Sequence, residues 1–278
     1  MELGAGGPAM ICLFDKQDAP DAGILTRIRR TRRGYKGLRT GETLILGIRA
    51  MTATLDITPS MPMKVVRKRI RYAAERMRAV RVRKVLFSED FPYRELVLGE
   101  GFDEMDDSRL PELLAGKIAS VFSGRDKVAA FFAERLTSEA EHVFRQLCRE
   151  YKYVMSAVEY YDGRLYHDLI RGLGISVIGQ PTERQLAKAD VAVFFSPPVR
   201  QTVLPEKCVA IPVCPAALDG VVCRRAVAGM AVELTNGKAP HIPGGFPSMP
   251  LIAAAIDAGS LSREEVLVRT LEFKDMYS

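Results

Sequence analysis

The chain has 278 residues, 47% of them hydrophobic and 27% charged, with a formal net charge of +6. That length accommodates one large domain or two small ones, with a core that needs no disulfide staples, and the composition excludes wholesale disorder. No run of about 18 apolar residues occurs, which excludes a spanning helix, and residues 1–11 lack the basic and apolar regions of a secretory signal.

The charge is uneven. Residues 1–85 contain 19 Lys and Arg against 7 Asp and Glu, and the remainder 21 against 27. Such asymmetry fits an anionic partner such as nucleic acid, mutual attraction of the two parts, or a solvated arginine face. The five cysteines (Cys12, Cys148, Cys208, Cys214 and Cys223) are odd in number and form no C-x-x-C pair. Neither a zinc knuckle nor a redox dithiol is signalled, and buried, reduced thiols in a cytosolic protein are expected.

In chain order, residues 1–40 read as an irregular basic arm holding one short strand over 11–14. A strand is expected over 43–48. Ser60 caps the next helix, with Pro62 in its first turn. That helix runs to Ala79 with Val66, Ile70, Ala73, Ala74 and Met77 as its apolar stripe. A strand follows over 84–87. A helix opens at Asp107 or Ser108 and is closed by Gly124, and residues 127–136 read as a shorter helix. Ser138 with Glu141 forms a capping box ahead of a helix striped by Ala140, Val143, Phe144, Leu147, Cys148 and Tyr151.

From there the pattern alternates: strand 153–158, helix 164–173, strand 175–178, helical turn 182–188, strand 190–195 ended by Ser196-Pro197-Pro198. Short β-branched strands alternating with helices predict a parallel sheet covered on both faces, with Val154, Val177 and Val193 side by side. Strands are then expected over 209–213, 221–223 and 230–234, with Asn236-Gly237 as a hairpin turn. Ser248 caps a helix to Ala258, Ser262 with Glu265 caps a last turn, and 266–273 is open between helix and strand. The expected fold is α/β: a Rossmann-like three-layer parallel sheet with an additional N-terminal β-α-β unit or lobe. Its expected divisions are the arm (1–40), a βα lobe (41–125) and a Rossmann-like domain with a C-terminal β and loop extension (126–278).

The chemistry-bearing motifs are mostly absent. The turn after Val158, Glu159-Tyr160-Tyr161-Asp162-Gly163, is not G-x-G-x-x-G, and the next strand ends in Gly179-Gln180, not in a ribose-holding acid. Gly4-Ala5-Gly6-Gly7 precedes any strand, and no Walker A, H-E-x-x-H or G-x-S-x-G sequence occurs. Of the histidines, His142 and His167 lie off the apolar stripes of their helices, and His241 lies in a Pro- and Gly-rich loop. The acids Glu100, Asp103, Glu104, Asp106 and Asp107 lack EF-hand spacing and read as carboxylates ahead of a helix N-terminus. No catalytic residue and no metal ligand is assigned, and no cofactor follows from the sequence.

Two places remain. Ligands of open α/β sheets bind beyond the carboxyl ends of the strands, which selects Asp162, Gly163, Gly179, Gln180, Thr182 and Ser196, with Ser88, Glu89 and Asp90 in the first unit. The helix of residues 64–79 offers Arg67, Lys68, Arg71 and Arg78 to an anionic partner, although only Tyr72 interleaves with its basic residues. The leading expectation is a cytosolic, non-catalytic α/β protein that binds a small ligand or a protein, with no membrane partner. The alternatives are a Rossmann-like transferase or oxidoreductase with an atypical nucleotide site, and a nucleic-acid-associated protein using the basic N-terminal third.

Overall fold

The structure is a computed structural model and describes residues 10–18, 37–58, 60–160, 167, 171–172, 177–235 and 245–276. These divide into two compact units, one drawn from Met1–Asp107 and Lys238–Ser262, the other from Ser108–Gly237 and Arg263–Ser278. The segment over 108–125, expected with the N-terminal lobe, groups with the second unit, and the helix near 250 groups with the first.

In the first unit, β1 (Ile11–Asp18), β2 (Leu38–Ile45), β3 (Ile48–Ile57), β4 (Lys84–Phe87) and β5 (Asp103–Glu104) form one sheet in the order β2-β3-β1-β4-β5. Only the β2–β3 pairing is antiparallel. The short strand expected over 11–14 is present and longer, as β1. The correction is that it is a central strand with Cys12, Leu13 and Phe14 fully buried and not part of an arm, while residues 1–9 and 19–36 of the arm expected at 1–40 lie outside the described residues. The strand expected over 43–48 is likewise corrected. It is a hairpin, turned by Leu46 (φ 50°) and Gly47 (φ 80°) between β2 and β3. Two residues with positive φ match the right-handed twist of the strands they join.

Helix α1 (Met63–Ala79) buries the expected stripe of Val66, Ile70, Ala73, Ala74 and Met77 against Phe14, Met51, Leu55 and Phe87. Pro62, not Ser60, is its N-cap, and it makes no side-chain cap. At the other end Val82 N bonds Met77 O and Arg81 N bonds Arg78 O. This is a Schellman closure, with Arg81 (φ 60°) where glycine is usual. Helices α2 (Arg94–Leu98) and α6 (Ser248–Asp257) complete the unit.

The second unit holds a seven-stranded sheet. Its members are β6 (Gly124–Arg135), β7 (Tyr151–Tyr160), β8 (Val177–Gly179), β9 (Val191–Phe194), β11 (Val209–Pro212), β13 (Arg225–Leu234) and β14 (Val266–Asp275). Their spatial order is β14-β13-β11-β9-β6-β7-β8, and all pairings are parallel except β13 with β14. Numbered from β6, the parallel strands run 3-2-1-4-5-6, the doubly wound order in which two βαβ halves start from a shared middle. A short parallel pair, β10 (Thr202–Val203) with β12 (Val221–Val222), stands apart from this sheet.

The helix expected over 127–136 is therefore corrected to an inner strand of the sheet, β6, between β9 and β7. Ala129, Ala130, Phe131, Phe132 and Ala133 are all buried, so the run shows neither a period of 2 nor one of 3.6. Gly124 opens β6 and does not close a helix. Val154 pairs with Val177 as expected, but β6 stands between Val154 and Val193, through Ala129 and Phe131.

One face of the sheet (Ala129, Phe131, Val154, Val191, Val193, Ile211) packs on α3 (Leu110–Ser120) and α4 (Ser138–Glu150). The other face (Ala130, Phe132, Met155, Ala192, Phe194, Ala210) packs on Leu186 of α5 (Glu183–Leu186), Leu204, Cys208 and Cys223. With both faces covered, the fold is a three-layer, parallel-dominated α/β arrangement. The expected helix over 164–173 falls almost wholly outside the described residues, as does the Asn236-Gly237 turn; residues 266–275 resolve as strand.

Candidate functional site

The winding order places a crevice where consecutive crossovers leave in opposite directions, at the carboxyl ends of β6 and β9. A cleft of about 450 Å³ lies there, lined by residues from 132–133, 157–159, 180–186 and 196–202. This volume falls within the usual range for small-molecule sites.

Its floor is apolar. Phe132 stacks on Phe194 with ring centroids 4.5 Å apart and planes 10° off parallel, and Ala157 and Leu186 border it. Period-2 alternation along β7 sends Met155, Ala157 and Glu159 to this face, while Val154 and Val158 pack on the α4 side. The last sheet bond of β9 is Phe195 N to Phe132 O. Pro197 and Pro198 then have no N–H to extend the ladder, and the chain turns out over the cleft. Thr202 holds the returning limb, with its N donating to Gly220 O at 2.9 Å and its Oγ1 to Arg200 O at 3.0 Å. Gln180 closes the β8 side in the left-handed region (φ 49°). Its N donates to Ser156 O and its Nε2 to Val158 O, both at 2.8 Å.

Among the described residues, the charged lining residues are Glu159 and Arg200, and the neutral polar ones are Gln180, Ser196 and Thr202. The described lining therefore offers a carboxylate, a guanidinium and several hydrogen-bonding groups above an apolar floor. The neighbouring N-terminus of α4 is ill-suited to a pyrophosphate. The β6–α4 turn is Leu136-Thr137 with no glycine, Thr137 Oγ1 already accepts from Ala140 N at 3.2 Å, and Glu139 and Glu141 occupy the first turn.

Of the residues expected from sequence, Gln180 and Ser196 come together in this cleft. Gly179 is the last residue of β8, opposite Ser156, beside the cleft and not in its lining. Thr182 is the N-cap of α5, its N donating to Gln185 Oε1 at 2.8 Å. Asp162 and Gly163 lie outside the described residues, as does His241; His142 and His167 are exposed. Phe132, Glu159, Arg200 and Thr202 were not singled out. Glu159 is findable once β6 is counted as the first strand, because it then stands one residue before the end of the second, near where an acid can meet vicinal hydroxyls.

In the first unit the expected Ser88, Glu89 and Asp90 meet the end of β1. Ser88 Oγ and Lys16 N donate to Asp15 Oδ1 at 2.6 and 2.7 Å. Lys16 Nζ lies 3.3 Å from Asp90 Oδ2, and this hydrogen bond holds the Asp90 carboxyl below its ordinary value. Glu89 N donates to Gly245 O. These groups satisfy one another. Among the described residues no cluster of three His, Cys, Asp or Glu could hold a metal ion.

On α1, Arg67, Lys68, Arg71 and Arg78 are all exposed. Arg71 and Arg78 converge on Glu100, at 3.8 and 3.0 Å, and Arg78 also lies over the Phe102 ring. Half of the expected anion-binding row is thus engaged within the unit. No helix among the described residues is long and apolar enough to cross a membrane.

No family model matches the chain, and no curated protein sequence does. Among solved structures it is similar to L-tryptophan dehydrogenase from Nostoc punctiforme, with 14% identity, 76% of this chain covered and a TM-score of 0.27. The chain spans only 64% of the length of that dehydrogenase. It is also similar to aspartate transcarbamoylase from Trypanosoma cruzi in complex with carbamoyl aspartate and phosphate (12% identity, 76% and 73% of the two chains, TM-score 0.30). A third is the probable ornithine cyclodeaminase from Bordetella pertussis Tohama I (10% identity, 73% and 67%, TM-score 0.25). At these scores the likenesses assign no activity.

Proposed function

We propose that the chain is a small-ligand-binding α/β protein whose ligand occupies the cleft at the carboxyl ends of β6, β7, β8 and β9. The observation that carries this reading is an open, partly polar cleft at the crossing point of a doubly wound sheet, with Glu159 and Arg200 both in its lining. The ligand this lining suits presents an amine or vicinal hydroxyls to Glu159, a carboxylate or phosphate to Arg200, and an apolar body to Phe132 and Leu186. Binding without turnover is the leading form of this proposal. A second reading, a transferase or oxidoreductase acting in the same cleft, is favoured by the 3-2-1-4-5-6 order with an acid near the end of its second strand. The carboxylates at the start of α4 disfavour a dinucleotide in either case.

The test is thermal shift followed by calorimetry on the full chain, against small metabolites that carry an anionic group together with an amine or a diol. A true ligand at about one hundred times its Kd should stabilise the fold by about 2.7 kcal/mol. Glu159→Gln and Arg200→Ala should each weaken binding by about tenfold or more, the worth of a charge-assisted hydrogen bond. A ligand bound equally well by both variants would place the site elsewhere. Turnover of a bound ligand would select the enzyme.

A further inference from the structure

The seven-stranded sheet ends on β14, which is bonded to β13 on one side; among the described residues no strand pairs with its other side. An open edge of this kind is a row of unpaired N–H and C=O groups, and folded proteins blunt or cover such rows. The outer half of β14 carries charges of alternating sign. Glu272 and Lys274 share one face of the strand, are both exposed, and flank Phe273 on the other face. Arg269 on the same strand is paired with Glu233 at 2.7 Å. By contrast, neither Glu272 nor Lys274 has an ion pair among the described residues.

We propose that this edge is a contact surface between two copies of the chain, paired antiparallel along β14 about a two-fold axis at Phe273. In an antiparallel ladder, residues whose backbone groups point outward must face their like, so the axis falls on a residue and not between two. An axis at Phe273 sets Glu272 of each copy opposite Lys274 of the other, giving two identical cross-strand ion pairs, and sets the two Phe273 residues opposite each other. An axis one residue either way opposes Glu272 to its own copy or Lys274 to its own copy, which is repulsive. An axis at Leu271 opposes Glu272 to Thr270 and brings the bulge at Arg269 into the new ladder. The charge pattern therefore selects one register, and that register is self-complementary, as an isologous contact requires. Phe273 is held in place for it by the Arg225 guanidinium, 3.6 Å from its centroid, and by the edge-on ring of Phe122.

Sedimentation equilibrium of the full chain across a concentration series should show a reversible dimer. Glu272→Lys and Lys274→Glu each oppose like charges twice and should weaken self-association by about tenfold or more. An equimolar mixture of the two variants should recover the dimer, because every opposed pair is then of unlike sign. The double variant E272K/K274E should recover it alone. Independently of any variant, amide exchange in the wild-type chain over 270–275 should slow as concentration rises. A wild-type chain that stays monomeric overturns the proposal. So does a mixture that stays monomeric, or β14 exchange that is independent of concentration.

Discussion

At the scale of single residues, the cysteines separate cleanly by burial. Cys12, Cys148, Cys208 and Cys223 are buried, and Cys214 is exposed at the start of the 3-10 turn Pro215–Leu218. Burial penalises the thiolate, pushing Cys148 up to about 11 and Cys208 up to about 12, and raising Cys12 and Cys223 as well. The thiolate is the nucleophile, so at pH 8 these four are both inaccessible and protonated. Maleimide should therefore modify one thiol rapidly in the native chain and all five after denaturation, and Cys214→Ser should abolish the rapid phase. Two or more rapid native thiols would contradict the burial of Cys12, Cys148, Cys208 and Cys223. The sequence reading had all five buried. Cys214 escapes because it lies two residues past the end of β11, where the sheet no longer dictates which side a residue faces.

At the scale of elements, the segments read correctly are those with one buried face. Helices α1 and α4 bury the residues their periodicity selects, because one side meets water and the other the sheet. The segments misread are those buried all round or turned without a usual turn residue. In β6, neighbours on both sides and helices or loops on both faces leave no polar position to mark a period. Read as helix, it makes β7 the first strand of its sheet, so that Gly179-Gln180 and not Glu159 fall at the end of the second.

The β2–β3 hairpin was missed for the second reason. Its turn is Leu46-Gly47, and a leucine in the left-handed region hides the signal that Asn-Gly would give. This is also a local weakness that can be corrected. Leu46→Asn should stabilise the chain by about 0.5–1 kcal/mol, since asparagine tolerates that conformation better. Gly47→Ala should destabilise by about 1–2 kcal/mol, combining positive φ with a Cβ that would stand 2.8 Å from Ser260 Cβ. Urea midpoints should move in opposite directions for the two variants. Equal or reversed shifts would mean that the turn is not of this type.

At the scale of the molecule, the α/β class and the parallel alternation from β7 to β9 were readable from β-branched strands spaced by helices. The division into units was not, because the chain enters the second unit at Ser108, leaves it after Gly237 and re-enters at Arg263. A linear reading of composition has no access to such a return.

The architecture also implies graded stability within the second unit. Strands β6, β9 and β11 are hydrogen-bonded on both edges and buried on both faces, with Ala129, Ala130, Phe131, Val193, Phe194 and Ile211 all excluded from water. Opening any of their amides requires separating the two hydrophobic layers together, so those amides should exchange only through global unfolding. The β10–β12 pair is two residues long in each strand and leaves Val203 61% exposed, so its amides should exchange through local opening. Native-state hydrogen exchange should therefore show 191–194 and 129–132 converging on one free energy equal to that of global unfolding, with 202–203 and 221–222 well below it. Ligand bound in the cleft should raise protection at Thr202, whose bonds to Gly220 and Arg200 form part of the rim, without changing the rank of the central strands. If instead the central strands exchanged as fast as β10, the sheet would not be the cooperative core, and the cleft at its carboxyl edge would lack a rigid support.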